Sequence, residues 1–139
     1  MKPDKRFEFI DHTADVGIIA HGEDLADAFA NAAYGLFSII TDPAKIAENM
    51  SHEAEIHSDD IEALLFDWLN ELIYIFDAKK LVFRRFEIVE FRDQHLKAVC
   101  HGERYDPARH HLKLGVKAAT YHMLQVDRQN NRVRVIFDV

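Results

Sequence analysis

Two short stretches hold most of the side chains that could do chemistry. They are Asp11-His12-Thr13-Ala14-Asp15-Val16-Gly17 and, at the end of the sequence, Phe137-Asp138-Val139. The first is a polar segment between two apolar, alternating ones. The second sets a side-chain carboxylate beside the main-chain carboxylate of the last residue. If the final strand lies beside the opening strands, four acidic groups converge: Asp11, Asp15, Asp138 and the Val139 terminus. Clustered carboxylates repel, and a bound hard cation or a raised pKa relieves them. Calcium takes about six to eight oxygens, mixing carboxylates, carbonyls and water. Asp15, Asp138 and Val139 can supply about three to five of these. The plainer alternative is that Asp15 caps a turn and Asp138 is a solvated strand end.

Histidine is the other chemical resource. His12 lies beside Asp11, and His122 follows Tyr121 in the run Val116-Lys117-Ala118-Ala119-Thr120-Tyr121-His122. A histidine pair with carboxylates can bind zinc or iron, or relay protons. No two histidines have the H-x-x-x-H spacing that would align them on a helix, and His110-His111 would diverge on a strand. The single cysteine, Cys100, alternates with Ala98 and reads as a small buried apolar residue. It rules out an internal disulfide and a Cys-rich zinc site. There is no G-x-x-x-x-G-K-[ST], G-x-G-x-x-G or G-x-S-x-G, which argues against a free-standing nucleotide-binding enzyme.

The elements that must position these groups follow from apolar periodicity. Phe7 and Phe9 alternate as a strand, and Val16, Ile18 and Ala20 alternate as a second that stops at His21-Gly22. Asp24 caps a helix whose stripe is Leu25, Ala28, Phe29, Ala32, Ala33, Leu36 and Ile40, ending near Thr41-Asp42-Pro43. Residues 44–51 read as a loop and His52 to His57 as a short strand. Asp59 starts a second helix, with Glu62 as its capping-box partner. That helix carries the broad stripe Ile61, Leu64, Leu65, Trp68, Leu69, Leu72, Ile73 and Phe76. Strands then run from Leu81 to Phe91, His95 to Arg104, Val116 to Asp127 and Arg132 to Val139, with a turn at Asn130-Asn131. This order predicts an α+β fold: a single two-layer domain over residues 1–139, with two helices packed on a mixed, largely antiparallel β-sheet.

Seventeen basic and 24 acidic residues give a formal charge of −7, which disfavours strong direct nucleic-acid binding and an anionic membrane surface. The opening Met1-Lys2-Pro3-Asp4-Lys5-Arg6 is not a signal peptide, and no window approaches the ~20 apolar residues of a membrane span. A cytoplasmic location is the expectation.

The polar segment is also recognisable. Phe9-Ile10-Asp11-His12-Thr13-Ala14-Asp15-Val16-Gly17-Ile18 resembles the opening signature of the archease family. Asp24-Leu25-Ala26-Asp27-Ala28-Phe29, with Ala32, Ala33 and Phe37, is similar to that family's first helix. Glu62-Ala63-Leu64-Leu65 with Trp68-Leu69-Asn70-Glu71-Leu72 is similar to its second. Lys117-Ala118-Ala119-Thr120-Tyr121-His122 resembles its late K-A-x-T-Y-H strand, with Ala119 where isoleucine is usual, a departure that bears on packing. The ending in Asp138 plus one apolar residue also fits.

The resemblance implies a small α+β accessory protein of the GTP-dependent, RtcB-type tRNA-splicing RNA ligase. Such a protein promotes guanylylation of the ligase's active-site histidine and its repeated turnover. It also implies a divalent cation, calcium by usual assignment, on Asp15, Asp138 and Val139; Asp11 is not among the implied ligands. Some members are described as chaperone-like modulators of tRNA modification enzymes. The readings that compete with an activator are a chaperone-like binding protein with a structural calcium, and a metal-dependent phosphoester hydrolase using Asp15, Asp138 and His12 or His122. An enzyme would turn over alone, whereas an activator needs its ligase.

Overall fold

The computed structural model describes residues 5–11 and 15–139. His12, one of the candidate residues above, lies outside them, and of Asp11 only the backbone is described. The element order is β1 (Phe7–Asp11), β2 (Val16–His21), α1 (Leu25–Ile40), a 3-10 turn (Pro43–Lys45), β3 (Met50–His57), α2 (Ile61–Lys79), β4 (Leu81–Arg92), β5 (His95–Arg104), β6 (Ala118–Asp127) and β7 (Arg132–Asp138). The fold is α+β, as the alternation of patterns predicts.

Two details differ from expectation. The strands divide into a four-stranded sheet, β1-β2-β7-β6, and a three-stranded sheet, β3-β5-β4. Every pairing among the described residues is antiparallel, so the sheet is not mixed. The short connections explain two of these pairings: two residues join β4 to β5 and four join β6 to β7, too few for the crossover that a parallel pair needs. The helices serve both sheets. α1 lies against β1, β2 and β7 of one sheet and β4 of the other, and α2 packs on β6 and on all three strands of the smaller sheet.

Each helix starts on an aspartate. Asp24 accepts a hydrogen bond from the Asp27 N–H at 2.7 Å, meeting one of the unpaired donors of the first turn. α1 stops where Ile39-Ile40-Thr41 meets Asp42-Pro43, since the residue before proline avoids helical backbone. The cap of α2 is Asp60 rather than Asp59: its carboxylate accepts from the Ala63 N–H at 2.7 Å. Glu62 therefore sits inside the first turn, favouring the helix dipole instead of closing a capping box. The apolar stripe of α2 is buried along its length, with Leu64, Leu65, Trp68, Leu69 and Leu72 fully enclosed. Each such side chain contributes about 1.5–3 kcal/mol by leaving water. Trp68 also donates its indole N–H to the Phe29 carbonyl at 3.0 Å, tying α2 to α1. Among the described residues no helix is long and apolar enough to cross a membrane.

Candidate functional site

Antiparallel register decides where the acids fall. β1 pairs with β2 so that Asp11 faces Val16, β2 pairs with β7 so that Val16 faces Phe137, and β6 pairs with β7 so that Ala118 faces Asp138. Extending the β2–β7 register by one residue sets Asp15 opposite Asp138. The two share a row at one end of the four-stranded sheet. Alternation then fixes their face. Ile18, Ala20, Val133, Val135 and Phe137 point into the core, so Asp15 and Asp138 emerge on the other face, with Gly17 and Ile136. Space is tight at Gly17: a Cβ would lie 2.6 Å from Ile136 Cδ1 and 3.2 Å from Ile10 Cβ, so the Ile136 side chain would have to shift. Asp138 is exposed, while Asp15 and Val139 are half-buried. Like charges directly opposite on neighbouring strands repel, whereas oxygen donors gathered this way suit a hard cation. The donor set of Asp15, Asp138 and the main-chain oxygens of Val139 is all oxygen, and so fits a calcium-type ion.

The start of β6 is held against this end from both sides. Lys117 donates its backbone N–H to the Asp138 carbonyl at 2.8 Å. On the opposite side Asn70 of α2 brackets Ala119: its Oδ1 accepts from the Ala119 N–H at 2.9 Å, and its Nδ2 meets the Ala119 carbonyl at 3.4 Å. One turn earlier on α2, Phe66 stacks on Tyr121, with centroids 4.0 Å apart and planes at 12°. The W-L-N-E-L and K-A-x-T-Y-H stretches thus meet as one joint between helix and strand. Beyond Thr120 the strand departs from the regular run expected over Val116 to Asp127. Pairing jumps from Thr120–Ile136 to Gln125–Arg134, so residues 121–124 stand opposite Val135 alone, and Met123 takes a positive φ of 58°. His122 is exposed in this bulge.

A second group of donors lies elsewhere, on the three-stranded sheet. Glu55, His57 and His95 each offer a ligand atom, and these atoms lie within 4.8 Å of one another. A third polar cluster is buried. The Asp106 N–H donates to His110 Nδ1 at 2.8 Å, so the proton on Nε2 faces Glu103 Oε2 at 2.7 Å. Glu103 also accepts from the Ala47 N–H at 2.8 Å and pairs with Arg109. Burial alone would raise the Glu103 pKa, but these donors outweigh it and hold the carboxyl at about 2. The cluster ties the segment after β5 to the turn before β3. Cys100 is buried, and burial pushes its thiol up to about 12, consistent with a packing role.

The model of the Archease protein family (MTH1598/TM1083) matches residues 7–139. The chain belongs to the archease family. It is 36% identical to the protein archease of Methanosarcina acetivorans over 141 aligned residues, which cover 97% of each chain. To the protein archease of Pyrococcus abyssi it is 40% identical over 127 residues, 89% of each. Among solved structures it resembles Methanobacterium thermoautotrophicum protein 1598, with a TM-score of 0.77 at 35% identity, covering 98% of this chain and all of that one. It shares its fold with an archease of Thermotoga maritima, described as a possible chaperone (TM-score 0.64, 22% identity, 100% and 97% coverage).

Archease-family membership covers the strands that carry Asp15 and Asp138 and the joint at Asn70. Asp15, Asp138 and Val139 stand out in the sequence, and the register brings them to one sheet end. Glu55, His57 and His95 do not stand out there. The available signal was Glu55-x-His57, which places both side chains on one face of a strand. The third member came from a strand whose pairing partner no local pattern announces.

Proposed function

We propose that this protein is an accessory activator of a GTP-dependent RNA ligase of the RtcB type, and not itself an enzyme. It promotes guanylylation and repeated turnover of the ligase in tRNA splicing or RNA repair, and acts in the cytoplasm. The observation that carries the reading is the shared row of Asp15 and Asp138 at an accessible sheet end, in a member of the archease family. Asp15, Asp138 and Val139 would hold a divalent cation, calcium by the chemistry of the donors. When bound, that ion supplies positive charge beside a phosphate-bearing reactant. The chain's own part is to present the carboxylates in fixed register, backed by the Asn70–Ala119 joint, at a tip free to enter the ligase's active site.

The test is multiple-turnover RNA ligation by a purified RtcB-type ligase with GTP and divalent metal, with and without this protein. Many turnovers per ligase only in its presence, lost in Asp15→Ala and in Asp138→Ala while both variants melt near the parent temperature, is the expected result. Full activation by both variants refutes the acidic tip, and no stimulation of a cognate ligase refutes the activator reading. A chaperone-like binder with a structural calcium predicts instead that chelation lowers the melting temperature. A phosphoester hydrolase predicts turnover by the protein alone.

A further inference from the structure

Glu55, His57 and His95 play no part in the function proposed above, yet they are arranged as ligands. Glu55 and His57 are two residues apart on β3, so both leave the same face. β3 pairs with β5 with His57 opposite His95. The Glu55 Oε2 lies 2.7 Å from His95 Nε2 and 3.5 Å from His57 Nε2, and the two imidazoles stack with centroids 4.5 Å apart. Only 9% of the His95 side chain is exposed, against 72% for His57 and 51% for Glu55. The group is one anchored donor and two that can adjust.

We infer that Glu55, His57 and His95 bind a first-row transition-metal dication of the zinc type, at a site separate from the oxygen-lined strand ends. Two imidazole nitrogens and one carboxylate form a borderline donor set, which favours zinc, cobalt or nickel over calcium and magnesium. Bonds of about 2.0–2.2 Å in a tetrahedral shell put donors roughly 3.3–3.6 Å apart. The His57–Glu55 separation of 3.5 Å already meets this. The His95–Glu55 contact has to open by less than about 1 Å, which the exposed Glu55 side chain allows by rotating, and the exposed His57 ring has to turn out of its stack on His95 so that its in-plane nitrogen lone pair meets the same ion.

The surroundings of His95 supply the outer support that metal-bound histidines use. Its Nδ1 lies 3.4 Å from Glu90 Oε2 and 3.3 Å from Arg92 Nη2. Without metal, Nε2–H donates to Glu55 while Nδ1 accepts from Arg92. With metal on Nε2 the proton sits on Nδ1 and donates to Glu90, which orients the ring and raises its basicity. The cations nearby are Arg92 and Lys97, the latter across from Glu55, and the carboxylates of Glu55 and Glu90 offset them. His57 lies between two open hollows, one of about 420 Å³ that it lines with Glu55, Asp67, Asn70 and Glu71, and one of about 430 Å³ that it lines with His95, Arg92, Asp93 and Gln94, so water can reach a fourth position beside it. A metal there cross-links β3, an edge strand of its sheet, to β5.

The test uses the full chain, stripped of metal, titrated with Zn²⁺ by calorimetry and with Co²⁺ by visible absorption. One equivalent bound, a tetrahedral cobalt spectrum, and no displacement by excess Ca²⁺ are expected. His57→Ala removes an exposed side chain and should leave the circular dichroism spectrum unchanged while weakening Zn²⁺ binding by at least about tenfold. Glu55→Gln should weaken it likewise, and Asp15→Ala should not. No binding, binding of undiminished affinity in His57→Ala, or loss of binding in Asp15→Ala overturns the inference.

Discussion

Asn70→Ala tests whether the joint between α2 and β6 is held as described. The variant leaves the buried Ala119 N–H without its 2.9 Å acceptor. An unsatisfied buried donor costs about 1–3 kcal/mol. Asn70 is itself half-buried, so water can reach the vacated space, and about 1–2 kcal/mol is the applicable part. The second contact, at 3.4 Å, adds little. Alanine gains about 0.5 kcal/mol of helix propensity over asparagine, opposing the loss. The net destabilisation is about 0.5–1.5 kcal/mol. An unfolding entropy of about 2.1 cal/mol/K per residue amounts to roughly 0.3 kcal/mol/K for this chain. The melting temperature should therefore fall by about 2–5 °C in calorimetry. Hydrogen exchange localises the effect: the Ala119 amide should exchange faster, while the Trp68 indole N–H, bonded to Phe29, keeps its protection. An unchanged melting temperature together with an unchanged Ala119 amide would refute the reasoning.

Three further outcomes follow from the buried groups. The folded-state pKa of Glu103 is depressed, so its contribution is present above about pH 4.5 and lost as pH falls toward 2. The full shift corresponds to roughly 3 kcal/mol, and screening beside the half-exposed Arg109 leaves about 1–2 kcal/mol. Urea unfolding between pH 5 and 2 should thus show a smaller acid loss in Glu103→Gln than in the parent, and parallel curves would contradict the assignment. Gly102→Ala should cost more than about 3 kcal/mol, because a Cβ there would sit 1.8 Å from the Val82 carbonyl oxygen and the backbone must move; denaturant midpoints measure it, and a loss under 1 kcal/mol would show the strands can part. Cys100 should resist iodoacetamide at pH 8 in the native state and react once unfolded, as followed by mass spectrometry, because the thiol is buried and its pKa is about 12.

The helices were legible because an amphipathic stripe repeats along one element: every apolar position named for the stripes of α1 and α2 is buried except Phe76, which is half-buried, while Phe37, Ile39 and Ile75 beside those stripes are buried as well. The one-residue displacement of the α2 cap was not. Asp59 and Asp60 offer the same side chain, and only backbone geometry selects between them. Strand order is non-local, so nothing near His57 or His95 shows that β3 lies beside β5. For the same reason, the partition of the strands into two sheets could not be read. The carboxylate row was within reach because Asp15 and Asp138 each adjoin an apolar strand end, and one assumed pairing brings them together. The bulge at 121–124 was hidden because Val116 to Asp127 has the composition of an ordinary strand, and the register break coincides with a contact distant in sequence, the stack of Tyr121 on Phe66.

That break has a consequence for how the molecule behaves in a crowd. β6 lies at an edge of the four-stranded sheet, where a row of open backbone groups could template a strand from another chain. Its regular ladder is cut into two three-residue pieces, Ala118 to Thr120 and Gln125 to Asp127. In the first, Asn70 already occupies the outward N–H and C=O of Ala119. An incoming strand would meet a side-chain amide where it needs a free peptide group, then a kinked stretch with no continuous register. The same bulge that sets Tyr121 against α2 therefore closes this edge to strand addition. The protein can keep exposed aromatic and methionine side chains on β6 without making that edge a nucleus for aggregation.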